Sequence, residues 1–332
     1  MRFCVYGAGA VGGLMGGLLA EGGHEVSLIA RGPHLAALKA DGLTVELRDR
    51  TVRQKLRATD DPRELGPQDC VILTVKAHAL RDIAASVAPL LGPDTAILSA
   101  MNGIPWWFFH AFGGKFAGRR LMSLDADGYI ARHLPPERVV GVVTHVSAAV
   151  PRPGVVKHNT GLKLIFGASG EAKAPRLDEV TAAFAGSSFQ CTIDTPIQKE
   201  IVIKLWGNMS INPIAALTLA RGDVVNEDPL TQELCVRMME EMAAVAAKLG
   251  IAITMTPLER CAVTRQLGPF KPSTLQDMEK GRKLEIDALL TAPIEIGKLV
   301  GHPMPFCRAV LGLIRMRAAT AGLYDMPAEG AI

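Results

Sequence analysis

Arg2-Phe-Cys-Val-Tyr6 runs directly into Gly7-Ala8-Gly9-Ala10-Val11-Gly12. The first five residues have the aromatic and β-branched character of a short buried strand. The next six spell G-x-G-x-x-G, and the chain beyond them reads as a helix to about Glu21. In that strand–turn–helix setting each glycine has a physical task. Gly7 permits the tight turn, Gly9 lets the backbone approach a pyrophosphate, and Gly12 lets the helix pack close to the sheet. Free N–H groups at the helix start then favour phosphate. The stretch predicts a dinucleotide site at Gly7, Ala8, Gly9, Ala10, Val11 and Gly12; a turn used only for packing is the alternative.

The next strand, Glu25 to Ala30, qualifies the cofactor. An NAD site usually places an acid at its end to accept from the ribose hydroxyls. Here Ala30 and then Arg31 follow, and a guanidinium pairs with a 2′-phosphate. The expected cofactor is therefore NADP (NADPH). Asp69 to Val75 is a further buried strand with Lys76 at its carboxyl end, where open parallel sheets bind ligands. Lys76 is a candidate cofactor contact or a plain surface lysine. Thr95 to Ser99 leads into Met101-Asn102-Gly103, which makes Asn102 a candidate contact to the nicotinamide end or an ordinary turn residue.

The rest of this half reads as more sheet. Pro33 to Ala40 suits a helix, and Thr44–Leu47 with Thr51–Arg53 a hairpin. Val139–Ser147, Gly154–His158 and Leu162–Phe166 alternate like antiparallel strands, followed by a helix over Ala174–Phe184 and a strand over Phe189–Ile193. Trp106-Trp-Phe-Phe109 is a wall for a substrate, a partner surface, or a local apolar cluster. A boundary is expected at Thr195-Pro196, giving domains of 1–195 and 196–332.

Beyond it the pattern turns helical, and one helix carries chemistry. Within Glu200–Leu219, Lys204, Asn208 and Asn212 interrupt an apolar run at a spacing of four. Each such step turns only about 40° about a helix axis, so the three form one narrow polar stripe. An ammonium among Ile201, Val202, Ile203, Leu205 and Trp206 is costly unless something pairs with it. The stripe is read as lining a cleft, against the plainer alternative of a solvated face. Further helices are expected over Leu258–Leu267, Thr274–Leu290, Ile294–Val300 and Pro305–Ala319. Ser273 followed by Gln276 resembles a capping box. Glu285, among Leu284, Ile286 and Leu289, is either a partner for Lys204 or an acceptor for a substrate hydroxyl, against the plainer alternative of a helix-surface acid paired with Lys283 or Arg282.

Composition excludes several classes. A net charge of +3 with no Lys/Arg cluster, and 5% aromatic residues, argue against a nucleic-acid binder. No run of apolar residues reaches membrane-spanning length. The six scattered cysteines form no C-x-x-C pair, which suits reduced thiols in the cytoplasm and no metal site.

Taken together these stretches resemble the ketopantoate reductase family. The features are G-x-G-x-x-G at Gly7–Gly12, Arg31, Leu-Thr-Val-Lys76, Asn102-Gly103, Lys204-Leu-Trp-x-Asn208-x-x-x-Asn212-Pro213 and Ser273-x-Leu-Gln-Asp through Glu285-Ile-Asp287. The resemblance implies an α/β Rossmann-type domain followed by an all-helical, 6-phosphogluconate-dehydrogenase-like domain. It implies NADPH-dependent reduction of 2-dehydropantoate to pantoate, a step of pantothenate synthesis. Lys204 would be the general acid, and Glu285 would hold the substrate hydroxyl or the lysine. Asn208, Asn212, Ser273 and Asn102 would bind the substrate, while Arg31, Lys76 and Asn102 would touch the cofactor. An unperturbed lysine, titrating near ~10.4, is a competent donor at neutrality. Met101 stands where the family often has histidine, and Leu219-Ala-Arg221-Gly222 replaces a downstream asparagine. Another 2-oxo acid is therefore the close alternative, and a non-catalytic dinucleotide sensor the distant one. The expected partner is a small 2-oxo acid; a homodimer is left open.

Overall fold

The computed structural model describes residues 1–170 and 172–326. Its strands are β1 (Arg2–Tyr6), β2 (Glu25–Ile29), β3 (Leu43–Glu46), β4 (Thr51–Gln54), β5 (Arg57–Thr59), β6 (Gln68–Leu73), β7 (Leu91–Ser99), β8 (Val139–Arg152), β9 (Val155–Gly167) and β10 (Gln190–Ile193). The helices are α1 (Ala10–Glu21), α2 (Gly32–Asp41), α3 (Leu80–Ala84), α4 (Met122–Asp125), α5 (Tyr129–His133), α6 (Leu177–Ala185) and α7 (Gln198–Thr218). There follow α8 (Gly222–Glu227), α9 (Pro229–Lys248), α10 (Pro257–Arg265), α11 (Ser273–Glu279), α12 (Ala292–Leu299) and α13 (Pro305–Thr320). The chain divides into two compact units. The first is Met1–Met101, Trp107–Arg119 and Gly128–Ile197; the second is Asn102–Trp106, Arg120–Asp127 and the chain from Gln198 onward.

The first unit is built on a mixed sheet in the order β4-β3-β9-β8-β7-β6-β1-β2-β5, with β10 also paired to β9. From β5 to β8 every pairing is parallel. Parallel strands covered on both faces need apolar side chains throughout. Phe3–Tyr6, Cys70–Leu73 and Ala96–Leu98 are buried accordingly. Helix α1 lies close to the sheet because it is made of small residues: a Cβ on Gly17 would stand 2.5 Å from Val45 Cγ2. The antiparallel pair β8–β9 is longer than the alternation predicts. Gly161, at φ +75°, lets the chain kink between two expected strands without ending β9.

Trp106 to Phe109 are all buried, which removes the partner-surface reading. In the first unit Phe108 and Phe109 pack edge to face at 5.1 Å, and Phe112 and Phe116 join them. The six cysteines are free thiols, and burial pushes Cys4 up to about 12. No helix among the described residues is long and apolar enough to cross a membrane.

The second unit is helical and centred on α7, against which α8, α9, α10, α11 and α13 pack. That central place explains why α7 is apolar on nearly every side. The helix expected over Thr274–Leu290 is broken. Gly281, at φ +60°, stops α11 just past Glu279, and the chain has no regular structure from Arg282 to Glu285, ahead of a π-helical turn at Asp287–Thr291. The capping box expected at Ser273 is absent as well. Pro272 occupies the cap position with no side-chain bond, and the Gln276 amide donates to the Lys271 carbonyl. A true capping box stands at Thr256 and Glu259.

The start of α13 is closed by a distant acid. Buried Glu241 accepts from the N–H groups of Phe306 (2.8 Å) and Cys307 (3.0 Å). Glu241→Ala would strand the buried Cys307 N–H and remove a charge from the helix start. A loss of about 2 kcal/mol is expected, read as a lower denaturant midpoint in chemical unfolding.

Candidate active site

In the first unit, Gly7 adopts φ +102°, a conformation costly for any side chain. The Gly7 and Ala8 N–H groups donate to the Ile29 carbonyl at 3.2 and 3.0 Å. Thr74, just past β6, donates from its hydroxyl to the Gly7 carbonyl at 2.7 Å. His34 Nε2 donates to the Ala8 carbonyl at 2.7 Å, while its Nδ1 accepts from Gly154 N–H at 3.1 Å. Both bonds fit one neutral tautomer. A Cβ on Gly12 would collide with the Gly7 carbonyl and the Thr74 hydroxyl, and would stand 2.8 Å from Val5 Cγ1.

Gly9 is different. Its φ of −76° suits any residue, and an added Cβ would meet nothing nearer than the Gly7 carbonyl at 4.0 Å. Among the described residues nothing crowds that position, which leaves room for a group to approach the backbone. Gly9 also heads α1, whose start has no side-chain cap and no acid in its first turn. Open space, free N–H groups and no competing carboxylate suit a pyrophosphate. Arg31, exposed two residues beyond β2, has a guanidinium with no hydrogen bond or ion pair among the described residues. Lys76 is half-buried at the start of the short turn after β6. These residues fit a nicotinamide dinucleotide.

In the second unit, Lys204 sits in the middle of α7, half-buried, between Val202, Leu205 and Trp206, which are fully covered. Its ammonium donates to Asn102 Oδ1 at 2.8 Å. Asn102 comes from the segment after β7, and the π-helical turn holds that segment. Ile104 N–H donates to the Ala288 carbonyl at 2.8 Å, and a Cβ on Gly103, at φ +82°, would lie 2.5 Å from the same oxygen. Burial pushes the Lys204 ammonium down from 10.5 to about 8, partly opposed by the negative charge of Glu285. Further along the stripe, Asn212 Nδ2 donates to Asn208 Oδ1 at a long 3.4 Å. Ser273 is exposed at the start of α11, and its hydroxyl makes no bond among the described residues.

The second unit thus joins Lys204, Asn102 and Glu285, with Asn208 and Asn212 on the same helix face. Asn102 belongs to this unit, whereas the glycine turn, Arg31 and Lys76 belong to the first. Thr74 and His34 were not singled out by sequence. Thr74 carried a weak signal, a hydroxyl at the strand end two residues before Lys76; His34 carried none.

Family models described as ketopantoate reductase PanE/ApbA match residues 3–171, and the carboxyl-terminal model of the same name matches 196–318. The chain belongs to that family. Over 98% of its length it is 37% identical to the whole of a 2-dehydropantoate 2-reductase from Mesorhizobium japonicum. A protein of the same name from Pyrococcus abyssi is 28% identical, with 97% of this chain and 99% of the relative covered. Among crystal structures, a candidate ketopantoate reductase from Ralstonia solanacearum is 43% identical and superposes with a TM-score of 0.91, covering 97% of this chain and 99% of that one. The family's members are oxidoreductases, and the first unit has the family's Rossmann-like dinucleotide-binding fold.

The depressed Lys204 pKa has a cost for folding. An unfolded lysine titrates at its ordinary value, so the penalty is full below about pH 8 and vanishes above 10.5. Lys204→Met is expected to raise stability by up to about 3 kcal/mol at pH 7, with the gain shrinking as pH climbs through that window. Chemical denaturation at pH 7 and pH 10 checks it; no gain at pH 7 refutes the buried-charge reading.

Proposed function

We propose that the protein reduces the keto carbon of 2-dehydropantoate with NADPH, giving pantoate. The observation that carries the reading is the Lys204 ammonium, hydrogen-bonded to Asn102 at 2.8 Å and brought by burial to a pKa of about 8. A donor tuned close to neutrality can protonate an oxygen as it gains negative charge. The name of the 37% identical relative supports the choice of substrate.

The roles follow from chemistry. Gly7 to Gly12, Arg31 and Lys76 hold the dinucleotide. Arg31 pairs with a 2′-phosphate, which is why NADPH is favoured over NADH. Bound there, the reduced cofactor supplies a hydride. Lys204 donates from Nζ to the carbonyl oxygen, first as a hydrogen bond that polarises the carbon and then as a full proton transfer. Asn102 holds the ammonium by accepting one of its N–H bonds. Glu285 keeps Lys204 charged and accepts from the substrate hydroxyl. Asn208, Asn212 and Ser273 bind the carboxylate and hydroxyl ends. The surrounding apolar side chains of α7 keep water from the ammonium.

Reduction needs charged Lys204, so the rate should fall as pH rises past about 8, and the reverse oxidation should rise over the same range. Lys204→Ala should lower turnover by roughly 10²–10⁴-fold while dinucleotide affinity stays within about twofold. Stopped assays of NADPH consumption against a panel of 2-oxo acids test the substrate. Activity elsewhere with none on 2-dehydropantoate would move the assignment to another oxo acid. NADPH binding without turnover on any would leave a sensor.

Arg31→Asp should lower kcat/KM for NADPH by about 10–100-fold, the worth of one charged hydrogen bond, and leave NADH unharmed. Unchanged preference between the two cofactors would remove Arg31 from phosphate recognition.

A further inference from the structure

Glu285 is not on a regular helix, so something else must fix its carboxylate. Its two flanks are tied to the same segment near the carboxyl end. Leu284 N–H donates to the Leu323 carbonyl at 3.1 Å. Asp287 Oδ1 accepts from the Tyr324 hydroxyl at 2.7 Å and from the Thr291 hydroxyl at 2.8 Å. Lys283 and Asp325 add an exposed ion pair. Glu285 and Ile286 thus form a short bridge between two tethered points. The same π-helical turn receives Ile104 N–H on Ala288, and so also fixes Asn102. π-Turns break the regular ladder and recur at functional sites.

We infer that Tyr324 is a positioning residue for the proposed reaction, acting through Asp287 to hold Glu285 beside Lys204. The inference rests on the general-acid role given to Lys204 above. The Tyr324 ring is itself held, with the Arg315 guanidinium 5.9 Å from its centre. Burial, and the Asp287 charge beside it, raise the Tyr324 pKa, so the phenol stays a donor across the working range. The elements packed on the π-turn carry other buried or half-buried charges: Lys199, Glu200 and Lys204 on α7, Asp125 on α4, Glu295 on α12 and Arg315 on α13. Glu295 is occupied by the N–H groups of Met122 and Ser123. Beside them, the Glu285 charge opposes the effect of burial on the Lys204 ammonium.

The sign of the effect is therefore set. If Glu285 drifts from Lys204, burial acts on the ammonium with less opposition, and the proton is lost at lower pH. The test is kcat/KM for the oxo acid, at saturating NADPH, measured from pH 6 to 10 on the full-length protein. Tyr324→Phe keeps the ring and removes the hydroxyl. It should move the alkaline limb down by roughly half a unit or more, with the dinucleotide KM unchanged. Asp287→Asn keeps an acceptor oxygen for both hydroxyls and should restore most of the parent's limb; Asp287→Leu should not. In a Glu285→Gln background, Tyr324→Phe should produce no further shift. A limb that stays in place in Tyr324→Phe, or that shifts equally in both backgrounds, overturns the inference. Should Tyr324→Phe fail to fold, Thr291→Val removes the other donor to the same carboxylate and is read the same way. Undiminished turnover in Lys204→Ala would instead overturn the functional reading.

Discussion

The structure of the second unit turns on one unfavourable act, the placing of a lysine ammonium in the middle of its most enclosed helix. Taking a charge out of water is expensive, and the nearby carboxylate repays only part of it. Burial outweighs Glu285 in setting the Lys204 proton affinity. In the proposed reaction, the arrangement gives up stability for a donor whose proton is held loosely enough to transfer near neutrality. A fully compensated ion pair in the same place would be more stable and a poorer acid. Under that proposal the partial compensation has a chemical purpose, and the bond to Asn102 helps to maintain it.

The bond comes from the amide oxygen of Asn102 and the opposing charge from Glu285, both far from Lys204 in the chain. Asn102 is delivered by a turn that only glycine at position 103 permits against Ala288. Glu285 is delivered by a segment freed from helix by Gly281. In both cases a backbone conformation closed to most residues sets the position of a polar side chain. The glycine turn of the first unit works by the same logic, with Gly7 making the turn and Gly12 the close approach of α1.

Much of this was legible in the residues. The period of four in Lys204, Asn208 and Asn212 located one helix face, because helical geometry is local. The Gly7–Gly12 spacing located the turn for the same reason. The break at Gly281 was missed, since the apolar pattern from Leu284 to Leu290 continues in apparent phase with that of α11. The lone glycine was the available signal, and it was outweighed. Ser273 was read as a cap from its spacing to Gln276, but Pro272 already supplied the helix start. The burial of Trp106–Phe109 followed from their apolar character; the packing of Phe108 and Phe109 against Phe112 and Phe116 did not, because it depends on contacts that sequence does not encode locally. The bond between Asn102 and Lys204 spans 102 positions, and no periodicity reaches that far.

The interleaving of the two units limits how this chain can be divided. Residues 102–106 and 120–127 belong with the carboxyl-terminal helices, although both lie within the amino-terminal half of the sequence. Severing the backbone near residue 197 would leave a helical fragment lacking the Asn102 amide oxygen that accepts from Lys204 and the N–H groups that engage Glu295. Recombination at that apparent seam would separate Lys204 from Asn102. The halves are thus obliged to be inherited as one piece, and a chimera with a homologue would need four crossovers in addition to the obvious one to keep each unit whole.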